Sequence, residues 1–271
     1  MKNLIVILLF LPLFTTAQVI VTCAGTGTQD YTGDGHPANG AELYSPYGVI
    51  LDDSGNLYVC DVNNACIRKV TNPANVGVGI ITTIAGNGTA GYSGDHGLGV
   101  YAQLDAVYDV AIDRHGNVYI PTGNVIRKVT PLDTITTIAG TGTAGYNGDS
   151  IPAVMALLNS PIGITLDSIG NIYFTDAYNY RIRKIDTAGI ITTIAGTGTL
   201  GFSPDGSRAD TAKLDNPSGI RIDKRGNLFF SDGERIRKMD TAGIITTIAG
   251  NGIVGFTGDS GLAINVEIGG W

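Results

Sequence analysis

The stretch that decides the fold runs from Ile162 to Gly196. It reads Ile162-Gly163-Ile164-Thr165-Leu166-Asp167, then Ser168-Ile169-Gly170, then Asn171-Ile172-Tyr173-Phe174-Thr175-Asp176. After a short loop come Arg181-Ile182-Arg183-Lys184-Ile185 and Ile190-Ile191-Thr192-Thr193-Ile194-Ala195. Four runs of five or six β-branched and aromatic residues are separated by Gly, Asn and Asp, a pattern of short strands joined by tight turns. The apolar positions are nearly continuous rather than alternating, so both faces of this sheet are expected to be covered.

The same unit recurs along the chain. Thr-Ile-Ala-Gly closes it at Gly86, Gly140, Gly196 and Gly250, with a degenerate Thr22-Cys23-Ala24-Gly25, giving spacings of 61, 54, 56 and 54 residues. Gly-Asn recurs at 55–56, 116–117, 170–171 and 226–227, and Ile-Arg-Lys at 67–69, 126–128, 182–184 and 236–238. Three markers sharing one period indicate a repeat architecture. Four antiparallel strands per period predict the blades of an all-β propeller. The blades are expected at about 46–86, 106–140, 161–196 and 217–250, with an extra strand at 19–24 and a partial repeat at 251–271. The phase of the repeat leads to the expectation of an open arc, an incomplete six-bladed propeller, with a compact four-bladed ring as its rival.

Glycine supplies 39 of 271 residues, which suits a turn-rich chain. The apolar fraction is 43% and the formal net charge is −7, a balance that disfavours a nucleic-acid partner. Met1-Lys2-Asn3, the apolar run Leu4 to Phe14 and the small-residue exit Thr15-Thr16-Ala17 read as a signal peptide over 1–17. The run is shorter than a bilayer span. The domain is therefore expected to begin at residue 18 and to reside outside the cytoplasm, whether secreted, periplasmic or on the cell surface, without membrane insertion.

The glycine of Gly-Asn is expected at positive φ, and the repeated Arg-Lys pair is read as a scaffold contact in each blade rather than a ring of cations. The loops between blades carry Gly-Thr-Ala-Gly-Tyr-Asn-Gly-Asp at 142–149 and its parallels ending at Asp34, Asp95 and Asp259. Asp61, Asp176 and Asp232 end the second strands, and in two units the sequence continues as Asp-x-x-Asn to Asn64 and Asn179. The second unit instead reads Pro121-Thr122-Gly123-Asn124, so its hairpin surface is expected to differ. The candidate ligand-binding residues on this acidic loop face are Asp34, Asp61, Asp95, Asp149, Asp176 and Asp232. Such carboxylates suit a protein, a glycan or a hard cation such as Ca²⁺, although the spacing matches no twelve-residue calcium loop. The alternative is that each aspartate closes its own turn. Cys60 and Cys66 are candidates for a hairpin disulfide, with two buried thiols as the rival.

The run 170–176, with Asn179 and Arg181 to Lys184, resembles the NHL repeat, as do Pro46-Tyr47-Gly48, Pro161-Ile162-Gly163 and Pro217-Ser218-Gly219. The second unit departs from it with Ala106-Val107-Tyr108-Asp109. The long inter-blade loop is similar to that of the secreted bacterial branch. The resemblance implies a binding scaffold, and some related propellers are metal-assisted lyases and lactonases. His36, His96 and His115 do not form a catalytic constellation in the sequence, so a non-catalytic role is expected, with a metal-assisted lyase or hydrolase as the alternative.

Overall fold

The computed structural model describes residues 20–71 and 79–269, so the segment 1–17 lies outside the described residues. Four antiparallel sheets follow one another along the chain. The first blade contains strands Pro46–Leu51, Leu57–Asp61, Cys66–Thr71 and Ile80–Ala85; the second contains Ala111–Ile112, Val118–Thr122, Val125–Val129 and Ile135–Ala139. The third contains Pro161–Leu166, Ile172–Asp176, Arg181–Ile185 and Ile190–Ala195; the fourth contains Ile220–Ile222, Leu228–Ser231, Ile236–Met239 and Ile244–Ala249. This is a β-propeller architecture, and the third blade follows its sequence pattern closely.

The turn between the first two strands is built identically in each blade. Gly55, Gly116, Gly170 and Gly226 take φ of 78°, 79°, 102° and 85°, where a side chain is strained. The aspartate three residues earlier organises the turn. Asp52 Oδ1 accepts the N–H groups of Ser54 and Asn56, and the Asn56 amide donates to Oδ2 at 2.8 Å. Burial raises the pKa of Asp113 and Asp167, but the amides of Asn117 and Asn171 and the turn N–H groups outweigh it, so both lie below the usual carboxylate range.

Apolar layers join consecutive blades. Cys60 and Ile67 of blade one pack with Leu104, Ile120 and Ile135; Ile126 of blade two packs with Ile164, Phe174 and Ile191; Ile182 of blade three packs with Leu214, Phe230 and Ile245. A further cluster sets Ala38 and Ala41 of the first inter-blade loop against Val70 and Ile81.

Three expectations need correction. Residues 20–24 form no strand, and Ile20, Val21 and Cys23 are exposed, because no third strand lies beside them among the described residues. The first strands of blades two and four begin later than 106 and 217. Blades one and three pair their leading prolines with the closing aspartate, Pro46 with Asp61 and Pro161 with Asp176, whereas the ladders of blades two and four begin only at Ala111–Tyr119 and Ile220–Phe230. The Cys60–Cys66 bridge is not formed and both thiols are free and buried. Cys60 stands opposite Ile67 and Cys66 opposite Asp61, so the two side chains leave opposite faces of the hairpin.

Candidate functional site

The repeated polar residues form an arginine cage in every blade. A bulge in the pairing of the third and fourth strands falls just before each of Arg68, Arg127, Arg183 and Arg237. All four side chains are buried. Arg183 donates to Asp149 at 3.0 Å, to Asp176 at 3.2 Å and to the Gly148 carbonyl at 2.9 Å. Arg68 reaches Asp34 at 2.8 Å and Asp61 at 3.4 Å, and Arg237 reaches Asp205 at 3.4 Å and Asp232 at 3.2 Å. Arg127 reaches Asp95 at 2.8 Å but has Thr122 where the second aspartate would be, and turns to the Gln103 carbonyl.

The inter-blade loop thus delivers its aspartate to the arginine of the following blade. It also delivers an aromatic ring: Tyr31, Tyr92, Tyr146 and Phe202 lie 4.8, 5.3, 4.9 and 4.8 Å from those guanidinium carbons. In blades three and four a second arginine, Arg181 or Arg235, also packs on the ring, at 3.8 and 4.1 Å. The loop finishes as an edge strand, Ile151–Pro152 or Ser207–Arg208, on the outer strand of the blade that follows.

The six loop-face aspartates therefore sit as follows. Asp34, Asp95 and Asp149 are partly exposed and paired with arginine; Asp61, Asp176 and Asp232 are buried and paired with arginine. Asp61 and Asp176 also receive the Asn64 and Asn179 amides at 2.9 and 2.8 Å. Burial raises Asp61 and Asp176 despite these donors, and pushes Asp232, which lacks such an asparagine, up to about 6. Among the described residues no group of three or more His, Cys, Asp or Glu side chains converges as a metal site.

A second constellation lies at the axis, where the first strands meet. Four residues before the turn aspartate, units one, three and four have Gly48, Gly163 and Gly219. Two of these glycines are needed, since a Cβ on Gly48 would strike the Tyr108 carbonyl and one on Gly163 the Ser218 carbonyl; Gly219 has room for one. Unit two has Asp109 at this position, and unit four carries Arg221 where the others have Ile50, Ala111 and Thr165. These two departures from the repeat meet. Arg221 Nη1 and Nη2 donate to Asp109 Oδ2 and Oδ1 at 2.8 and 3.0 Å, in bidentate geometry. Asp109 further accepts the N–H groups of Ile164 and Val110, both at 2.9 Å. The hydrogen bonds to Asp109 raise the Arg221 pKa against the opposing effect of burial.

Around this pair is a cavity of about 430 Å³, lined among others by Tyr47, Tyr108, Ile162, Ser218 and Phe229. The Tyr47 and Tyr108 rings meet edge to face, with centroids 5.5 Å apart. Tyr47 is 57% exposed. The lining comes from the starts of first strands and the end of a second strand, so the cavity belongs to the end of the blades that carries the inter-blade loops. Sequence reading missed this site, although its signal was present: Asp109 lies in the stretch where unit two breaks the pattern.

Radial sheets of this topology define a β-propeller built from a repeated four-stranded unit. A model of the teneurin NHL domain matches residues 144–204 and 201–256. Chicken teneurin-1 is 32% identical over 206 residues, which cover 68% of this chain and 7% of teneurin-1. The Arabidopsis thaliana protein SUPPRESSOR OF QUENCHING 1, chloroplastic, is 42% identical over 77 residues, 28% of this chain and 7% of that protein. Among solved structures, an auxiliary nutrient binding protein from Bacteroides thetaiotaomicron superposes with a TM-score of 0.54 at 18% identity, covering 81% of this chain and 55% of that one. The chain belongs to the NHL-repeat β-propeller family. It spans only a small fraction of the curated relatives it matches.

Proposed function

We propose that this propeller is a non-catalytic binding module whose ligand occupies the axial cavity. One observation carries this reading: Asp109 and Arg221, each a departure from its repeat, converge over 112 residues beside exposed aromatic surface. Positions that repeat serve every blade, whereas a binding site needs residues that occur once. A concave, mostly apolar cavity with a few fixed polar groups is the usual form of a small-molecule site. The loop-face aspartates support the scaffold in this reading, because each is engaged by a buried arginine. A protein or glycan can present such a group from its own surface. The leader-like segment 1–17 supports a location outside the cytoplasm.

A fragment screen by protein-observed NMR tests this. Hits are expected to shift the Tyr47, Tyr108 and Phe229 resonances, and Tyr47→Ala is expected to abolish them. Hits that instead disappear on substitution of Asp34 or Asp95 would return the site to the loop face.

A further inference from the structure

The polar groups of the axial cavity restrict its ligand, given that the cavity is the binding site. Asp109 is saturated: two Arg221 N–H groups and the N–H groups of Val110 and Ile164 fill its acceptor positions. It is the only carboxylate among the lining residues. The hydroxyl of Ser231 accepts from Gly219 N–H at 2.8 Å and lies 2.6 Å from Ser218 Oγ, and the Ser218 carbonyl accepts from Thr175 at 2.8 Å. The Asp109 carboxylate, the Ser231 hydroxyl and the Ser218 carbonyl are therefore engaged. Arg221 keeps free donors. Arg221 is 53% exposed, and Nε and the second hydrogen of Nη2 have no acceptor among the described residues.

Charge narrows the choice further. The Asp109–Arg221 pair is neutral as a unit, and the chain carries a net charge of −7. An anion gains Arg221 but meets Asp109 behind it and the negative field of the protein. A cation or amine finds no free carboxylate. The walls, Ile162, Phe229 and the two tyrosines, suit an apolar or aromatic body.

We propose that the axial cavity takes uncharged, largely apolar molecules that present a carbonyl-type hydrogen-bond acceptor to Arg221. Esters, amides, ketones and lactones share this chemistry. Arg221 donates through Nη2 or Nε while its other edge stays fixed on Asp109, and the ligand body lies against Phe229 and the tyrosine pair.

Three matched probes test the proposal on the full chain: methyl 2-naphthoate, 2-naphthoate and 2-naphthylmethylammonium, titrated by NMR and calorimetry. The neutral ester is expected to bind about tenfold more tightly than the ammonium, which offers Arg221 no acceptor, the worth of one hydrogen bond to a charged donor, and more tightly than the carboxylate, whose charge Asp109 and the field of the protein oppose. Arg221→Met is expected to remove the advantage over the ammonium. Because it leaves Asp109 uncompensated, Asp109→Asn with Arg221→Met is the second variant; it keeps both groups neutral, and its melting temperature reports folding. Equal binding of all three probes at Tyr47 and Tyr108 would overturn the ligand class while leaving the cavity as the site. Tighter binding of either ion would also overturn the class. Failure of every probe to shift those two tyrosines would overturn the proposal and the axial site together.

Discussion

Asp109 and Arg221 join the second and fourth blades across the axis, with both guanidinium Nη atoms on both carboxylate oxygens at 2.8 and 3.0 Å. Neither residue has a counterpart in the other units, so this contact is a property of one pair rather than of the repeat. Asp109 is buried, whereas Arg221 is half exposed. Removing Arg221 alone therefore strands a buried carboxylate. Arg221→Met is expected to lower stability by about 3 kcal/mol, and the double variant with Asp109→Asn to recover most of that loss. Equal losses in the single and double variants, measured by chemical denaturation, would show that the pair is not coupled.

The arginine cage makes a stronger demand. Arg183 meets two carboxylates and a carbonyl with no exposure to water, its Nε lacks an acceptor, and its guanidinium carbon lies 4.9 Å from the Tyr146 ring centroid. Arg183→Met should cost roughly 3–5 kcal/mol, because Asp176 stays buried without its counter-charge. Arg183→Lys should recover little, since one ammonium cannot span the fork that the guanidinium fills. Urea denaturation of both variants checks this; wild-type stability in the lysine variant would contradict it.

The aromatic of the inter-blade loop offers an internal control. The Tyr146 ring packs on both Arg181 and Arg183, with their guanidinium carbons 3.8 and 4.9 Å from its centroid. Phe256, at the matching place in the last loop, is 87% exposed. Tyr146→Ala is expected to cost about 1–2 kcal/mol, and Phe256→Ala to stay within about 0.5 kcal/mol of wild type. Thermal melts of the two variants decide the matter, and a larger loss at Phe256 would count against it.

Blade four should respond to pH in its own way. Asp232 is pushed up to about 6 from an ordinary 3.8 by burial, which the Asp215 N–H and Arg237 only partly offset. The folded value lies above the unfolded one. Between pH of about 4 and 6 the folded chain holds a proton that the unfolded chain has released, so this group's contribution to stability falls as pH rises through that window. Asp232→Asn should remove this slope. The readout is the difference in melting temperature between the two proteins across the window, and a constant difference would exclude the effect.

Cysteine accessibility is expected to follow the strand register. Cys23 is exposed, whereas Cys60 and Cys66 are buried on opposite faces of one hairpin. Burial raises both buried thiols above their ordinary range, which suppresses the reactive thiolate. Without reductant, iodoacetamide should label Cys23 in the folded protein and all three cysteines after denaturation, as counted by mass spectrometry. Protection of Cys60 and Cys66 in denaturant would reveal a bridge.

Local features were legible in the sequence because local rules govern them. The blade at 161–195, the positive-φ glycine of each turn and the scaffold role of the Arg in Ile-Arg-Lys follow from period, turn chemistry and repetition. The missing aspartate in unit two could also be read, and Thr122 there accepts the Asp105 N–H that an aspartate receives in the other units. The partners of each arginine could not be read. Arg183 and Asp149 lie 34 residues apart, and only the path of the loop brings the carboxylate to the next blade.

By itself, the sequence determined that this protein is built from repeated four-stranded units, because strand length, turn type and period are set by neighbours along the chain. Tertiary structure alone decided which aspartates are engaged by arginine, which way each cysteine faces, and that Asp109 and Arg221 meet. Those outcomes depend on strand register and on radial stacking around an axis. Such stacking places residues 112 positions apart within hydrogen-bond distance, and no local pattern encodes that proximity.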